Sequence, residues 1–540
     1  MWIMATLIQQ RARSCSNRFM GNSLRMVNEQ ILFVMLRLLV RFWISYPRLM
    51  PSVAISSMTQ GVVEHKVRWL GSCRGVRIFD SSKFQSEVSS LKQELIELGH
   101  YVIKHAEKLG ATQVEAYFES TRTLEVKIEK GLIRLAAEKL DSGCGMRVAI
   151  GNQLGVSYVT SILEKDLEQS AQDAVKAAQA SVADSDFKSF TSTQTPYPTV
   201  KGLFDKELDQ LSCEQAFEIL TRAVESSKEV SGTERNLIEG GFTAESKTIV
   251  IVNSEGITGN SSTTKVKLDI SSTISTGEDK CSSWEIQNSR VLAEIDPEKI
   301  GATSAQNALA LRGAKSMECG EMPLILTPRA LWEVLGTGFA EALNAREVQD
   351  GKSYFTDSLG SPIASSELEI ADNGILSGAL GSRPFDAEGF PSQNTMLVKS
   401  GILHSYLHDS FTSTRDEVEC TGNATRSSYR SIPTIGASNL VVTPGTCTLE
   451  EMISEVDKGV LCTFTFDRPN SVTGELSAMI MEGFLISQGE VQHALKNTLF
   501  GITMQDLLKK TIQVGSDVEN RENIQTPSIL IESAKITSGQ

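Results

Sequence analysis

Six histidines in 540 residues leave few imidazoles for catalysis, and only His404 and His408 stand close together. On a helix their spacing would put both rings on one face, where they could share a metal ion. They lie in Gly401-Ile-Leu-His-Ser-Tyr-Leu-His-Asp409, after a Ser-Gly turn and among short strand-like runs. On a strand four residues span about 13 Å, too far for one ion, so a surface strand is the expected setting. Asp386 and Glu388 in Phe385-Asp-Ala-Glu-Gly-Phe-Pro391 could act as an acid/base pair, although the same residues also end strands in turns. Thr421-Gly422-Asn423-Ala424-Thr425-Arg426 combines small residues, backbone N–H groups and one guanidinium. Such a segment can hold a carboxylate or an extended peptide, or serve as a tight structural turn.

Other chemistries lack their residues. There is no phosphate-cradling G-x-x-x-x-G-K-[ST], no G-x-S-x-G nucleophile elbow and no clear G-x-G-x-x-G after a strand. The nine cysteines are scattered and odd in number, with no C-x-x-C pair, against both a disulfide framework and a thiolate zinc knuckle; a reducing cytoplasm fits them best. The chain carries 52 basic and 66 acidic residues, a net charge of -14, which argues against direct nucleic-acid binding.

These residues need elements to position them, and 540 residues suggest about three domains. Residues 1–85 read unlike the rest, with seven Arg and one Glu in the first fifty, and an apolar run, Ile31 to Ile44, broken by Arg37 and Arg41. The run is too short to span a membrane, and the stretch reads as an amphipathic presequence or, as the favoured reading, an upstream extension included through a misplaced start. From Ser86 a helix carries Val88, Leu91, Leu95, Val102, Ala106 and Leu109 on one face and ends at Gly110. Strands through Leu124 to Ile128, Met146 to Ile150 and Gly155 to Thr160 follow, then a helix with Leu163, Leu167, Ala171, Ala174, Val175 and Ala178 on one side. These form an N-terminal unit, residues 86–195. A helix over Glu207 to Val230, strands over Lys247 to Ser275 and a helix from Asp296 to about Lys315 form a second, 203–315. In the third, 316–536, a strand Met322 to Leu326 leads into a helix capped by Thr327, and the remainder is Gly-rich and mostly strand. The expected fold is α+β, two smaller N-terminal α/β units and a β-rich C-terminal domain.

From about Leu95 onward the chain resembles the TldD/PmbA family, once called modulators of DNA gyrase, in its PmbA (TldE) branch. The resemblance rests jointly on Gly143-Cys-Gly-Met-Arg147, Phe385 to Pro391, Thr421-Gly-Asn423, Pro444-Gly445, Thr473-Gly-Glu-Leu-Ser477, Glu482-Gly-Phe-Leu-Ile-Ser-Gln-Gly489 and Val514-Gly-Ser-Asp517. In the TldD branch the helix after the apolar strand carries H-E-x-x-x-H, with a Cys near the C-terminus completing a zinc site. Here that motif falls on Trp332-Glu-Val-Leu-Gly-Thr337, and no cysteine follows Cys462. Trp332 and Thr337 therefore take the ligand positions and Glu333 that of the general base. Five-residue spacing aligns two side chains only across a widened turn, which Gly336 and Gly338 permit.

The resemblance implies a metallopeptidase-family scaffold without a zinc site of its own. Zinc is expected in a TldD-like H-E-x-x-x-H partner, with Thr421, Gly422, Asn423 and Arg426 facing a peptide substrate; a homodimer is the other assembly considered. Two further readings are an independent peptidase with a site rearranged around His404, His408 and Asp386, and a peptide- or protein-binding module that does not cleave.

Overall fold

The N-terminal strands are long, 17 residues in β1 (Gln113–Glu129) and 19 in each of β2 (Leu132–Ile150), β4 (Arg235–Asn253) and β5 (Thr258–Thr276). At about 3.4 Å per residue each spans roughly 60 Å, more than one helix layer can cover. With β3 (Gln153–Val159) and β6 (Asp279–Ser289) they form one antiparallel sheet in the order β3-β2-β1-β4-β5-β6. One end is covered by α1 (Phe84–Lys108) and α2 (Glu164–Ala180), which bury Leu95, Val102, Leu167 and Ala174 against Val114, Phe118, Met146 and Val250. The other end is covered by α3 (Cys213–Ser231) and α4 (Pro297–Ala310), with Leu220, Ala223 and Ile300 against Leu124, Val126, Phe242 and Leu268. The two units expected from the sequence thus keep separate cores but share a sheet, because β1 pairs with β4 from Glu115–Asn253 to Ile128–Gly240. The single helix expected over Glu207 to Val230 is broken: a short turn of helix, Lys206–Asp209, precedes α3, which begins at a capping box between Ser212 and Gln215.

The computed structural model describes residues 84–192, 195–277 and 279–539; the expectations for residues 1–83 lie outside them. Ser86–Gln540 forms one unit. Its C-terminal part is strand-rich, in accord with the α+β expectation. β7 (Gly320–Leu326) lies inside an eight-stranded sheet, antiparallel to Ile529–Ser538 and parallel to Lys458–Phe464. A second, six-stranded sheet is built from shorter strands. Between them lies the core, with Leu324, Leu331, Phe339, Phe355, Leu397, Phe464, Phe500 and Ile531. Among the described residues all seven cysteines are free, and no helix is long and apolar enough to cross a membrane.

Candidate functional site

α5 (Pro328–Val334) follows β7 after one residue and is buried along its whole length, so the core fixes its rotation. Thr327 stands at the N-cap position, but its hydroxyl bonds the Thr463 carbonyl instead of capping the helix. Beyond Val334 the helix widens into a π turn over Leu335–Phe339. Gly338 has a further purpose within it: a Cβ there would lie 2.2 Å from the Pro469 carbonyl oxygen. Only glycine lets the chain around Pro469 come this close, and that approach seats Arg468 on the helix. Arg468 Nε donates to Glu333 Oε2 at 3.0 Å and its Nη1 to Thr337 Oγ1 at 3.0 Å.

A cavity of about 110 Å³ opens beside this pair, lined by Trp332, Glu333, Gly336, Thr337, Arg468, Glu522, Asn523 and Ile524. Glu333 is 4% exposed, whereas the Arg468 side chain is about half exposed at 51%. Burial raises the Glu333 carboxyl, Arg468 opposes this, and Glu522 adds to the rise. Trp332 stacks on Trp284 of β6, with ring centroids 6.5 Å apart, and Trp284 also meets Phe464 and Phe466. Beneath, Arg329 of α5 donates through Nη1 to Glu482 Oε2 at 2.6 Å and lies over Phe464, while Arg521 reaches Glu285 at 2.7 Å. These aromatic and ionic contacts clamp the helix to the long sheet.

Three family models match the chain: PmbA/TldA metallopeptidase domain 1 over residues 114–178, the central domain over 206–312 and the C-terminal domain over 319–538. The chain belongs to the PmbA/TldD family. A Metalloprotease PmbA homolog of Haemophilus influenzae is 25% identical over 83% of this chain and 96% of its own. A Metalloprotease TldD homolog of the same organism is 24% identical over 73% of this chain and 84% of its own. The crystal structure of TldE from Thermococcus kodakarensis shares the fold at a TM-score of 0.75 and 21% identity, over 82% of this chain and all of that one.

PmbA/TldD metallopeptidase chemistry calls for a metal, and the residues in this pocket do not fit one. Indole has no lone pair to give, and a threonine hydroxyl is a poor zinc ligand. The guanidinium that bonds both Glu333 Oε2 and Thr337 Oγ1 already takes up the space between them that a metal would need. Among the described residues no three His, Cys, Asp or Glu side chains converge on a possible metal position. The rearranged site also lacks support: His404 is exposed, His408 is buried with Nδ1 unpartnered, and neither lies on a helix.

None of Thr421 to Arg426 lines the Glu333 cavity; the segment lies in the joint between the long sheet and the C-terminal domain. Thr421 Oγ1 bonds both backbone groups of His408, and Asn423 Nδ2 donates to Asp372 at 2.7 Å. Gly422, at φ +72°, lies where a Cβ would meet the Pro391 carbonyl at 2.8 Å. Arg426, its side chain 1% exposed, bonds Glu115 of β1 and stacks on Tyr117. Its guanidinium is thus spent inside the fold, which corrects the expectation that it faces a substrate. Arg147 completes the joint, bidentate on Glu115 at 2.6 and 2.9 Å and reaching Glu388 at 3.0 Å. Asp386 accepts from three backbone amides, those of Glu388, Phe390 and Ala424. Phe385 to Pro391 is therefore a joint loop, not an exposed acid/base pair. Sequence reasoning missed Arg468, Glu522 and Trp284; the one local signal was the Phe464, Phe466, Arg468 alternation leading out of a strand.

Proposed function

We propose that this chain is the TldE/PmbA-type, zinc-free subunit of a two-chain metallopeptidase of the cytoplasm. It pairs with a zinc-bearing TldD-type H-E-x-x-x-H subunit and helps hold small or unfolded peptides for cleavage by that partner. One observation carries the reading: a helix, π turn and buried carboxylate at the place of the family's catalytic segment are kept, while a guanidinium bonds the general-base position, Glu333, and one of the two ligand positions, Thr337. A chain that had lost all use of the segment would have no reason to keep a cavity there. Peptide cleavage measured on this chain, on its partner and on the mixture, with and without chelator, tests it. Activity should appear with the partner and vanish with chelator. Chelator-sensitive cleavage by this chain alone would overturn the proposal.

A further inference from the structure

The cavity beside Glu333 holds more negative than positive charge. Arg468 is neutralised by Glu333 Oε2, and Glu333 Oε1 has no hydrogen bond among the described residues although the residue is 4% exposed. Glu522 adds a second carboxylate without an ion pair among the described residues, close enough for its charge to raise Glu333. Glu522 sits at φ +50°, a left-handed conformation that glutamate seldom takes, at the turn between Glu519–Arg521 and Ile524–Thr526. The indole of Trp332 lines the same space, and indole is the aromatic ring that attracts cations best.

We infer that this cavity binds a primary ammonium group, held between Glu333 Oε1 and the Glu522 carboxylate against Trp332. Its volume of about 110 Å³ has room for an ammonium and the methylenes that carry it. The ligand class rests on the proposed peptide-handling role, under which the ammonium is a peptide's free N-terminus or a lysine side chain. A carboxylate ligand is disfavoured, since it would approach two carboxylates to reach one guanidinium already engaged.

Binding is measured on the full chain alone, so a failure of pairing with a TldD-type subunit leaves the test intact. The probes are neutral hexapeptides: one with a free N-terminus and C-terminal amide, its N-acetylated twin, the acetylated twin bearing one lysine, and an acetylated peptide with a free C-terminal carboxylate. Calorimetry and tryptophan fluorescence report affinity. The free amine, the lysine or both should bind at least about tenfold more tightly than the acetylated neutral peptide. Glu522→Gln, at an exposed position where folding is safe, should remove most of that preference, and Glu333→Gln should do the same. Arg468→Ala should strengthen amine binding by removing the competing cation. Equal affinity for amine-bearing and acetylated peptides, no binding at millimolar concentration, or a preference for the carboxylate peptide that Arg468→Ala abolishes would each overturn the inference.

Discussion

Glu115→Gln should be the most damaging single isosteric change in the joint between the long sheet and the C-terminal domain. The Glu115 side chain is 0% exposed and receives Arg147 through both oxygens and Arg426 through one. An amide in its place leaves two buried guanidinia facing one another with Glu388 alone to answer them. Removing one partner of a buried ion pair costs about 3–5 kcal/mol. Unfolding entropy of about 2.1 cal/mol/K per residue makes roughly 1 kcal/mol equal to one degree for a unit the size of Ser86–Gln540. The expected loss is therefore about 3–5 °C in melting temperature. Arg426→Met in the same background should recover part of it, as a coupling of about 0.5–3 kcal/mol in the double-mutant cycle. Burial would raise the Glu115 carboxyl, but Arg147 and Arg426 outweigh it and hold it low. Its contribution is thus present above the unfolded value near 4.3 and lost as pH falls through the lower folded value. The exposed pair Arg430–Asp141 supplies the control, since Arg430→Ala should cost no more than about 1 kcal/mol. Calorimetry reads both. A Glu115→Gln chain that melts like the parent, or an Arg430→Ala chain that loses as much, would refute the placement of the network in the core.

Stability should also decline between about pH 4 and 7 because of Asp386 and Asp372. Burial and neighbouring Glu388 push Asp386 up to about 7, and burial pushes Asp372 up to about 6. With folded values raised, the favourable contribution is full below the unfolded value near 3.9 and is lost as pH rises through the folded ones, at no more than about 1.4 kcal/mol per pH unit for each proton. Asp386→Asn should flatten that slope in a plot of melting temperature against pH, whatever its own cost; an unchanged slope counts against it. Gly338→Ala should cost about 1–3 kcal/mol through its clash with Pro469. Gly336→Ala, where the nearest atom is Ile524 Cδ1 at 3.5 Å, should melt within about a degree of the parent. Elemental analysis after gel filtration should find far less than one zinc per chain, and a stoichiometric content would contradict the assignment of Arg468 to the metal's place.

Periodicity made the helices legible. The spacing that ends at Gly110 gives α1, which stops at Lys108 with Gly110 at φ +101°, and Leu167 to Ala178 gives the buried face of α2. The break before α3 was written in the sequence as Ser212 and Gln215, but a continuous apolar pattern masked it. Strand pairing was not legible, because β1 meets β4 more than a hundred positions downstream. The Gly143-Cys-Gly-Met-Arg147 motif stood out, yet its reason is long-range: a Cβ at Gly145 would fall 2.1 Å from the Tyr429 carbonyl, and one at Gly143 would strike the Tyr429 ring. Arg426 looked free for a ligand because Glu115, its partner, lies some three hundred residues earlier. The widened turn could be read from Gly336 and Gly338, whereas the place of Arg468 could not, since the Phe464, Phe466, Arg468 alternation does not reveal that a distant glycine lets this residue onto the helix.

Glu333 and Arg468 explain one another. A carboxylate this buried is costly unless a positive charge answers it. In a metallopeptidase of this scaffold the metal is available to do so; here Trp332 and Thr337 remove the ligands, and the charge at Glu333 needs a different counter-ion. Arg468 supplies it from a loop that can approach only because position 338 is glycine. The pair consumes one oxygen of Glu333 and leaves the other on the cavity, beside Glu522. On the proposed reading, a small recess lined by Glu333 and Glu522 stands where a metallopeptidase of this scaffold would place its metal. Under the proposed function, such a recess would serve peptide handling by holding the charged end of a peptide, with no bond made or broken in this chain.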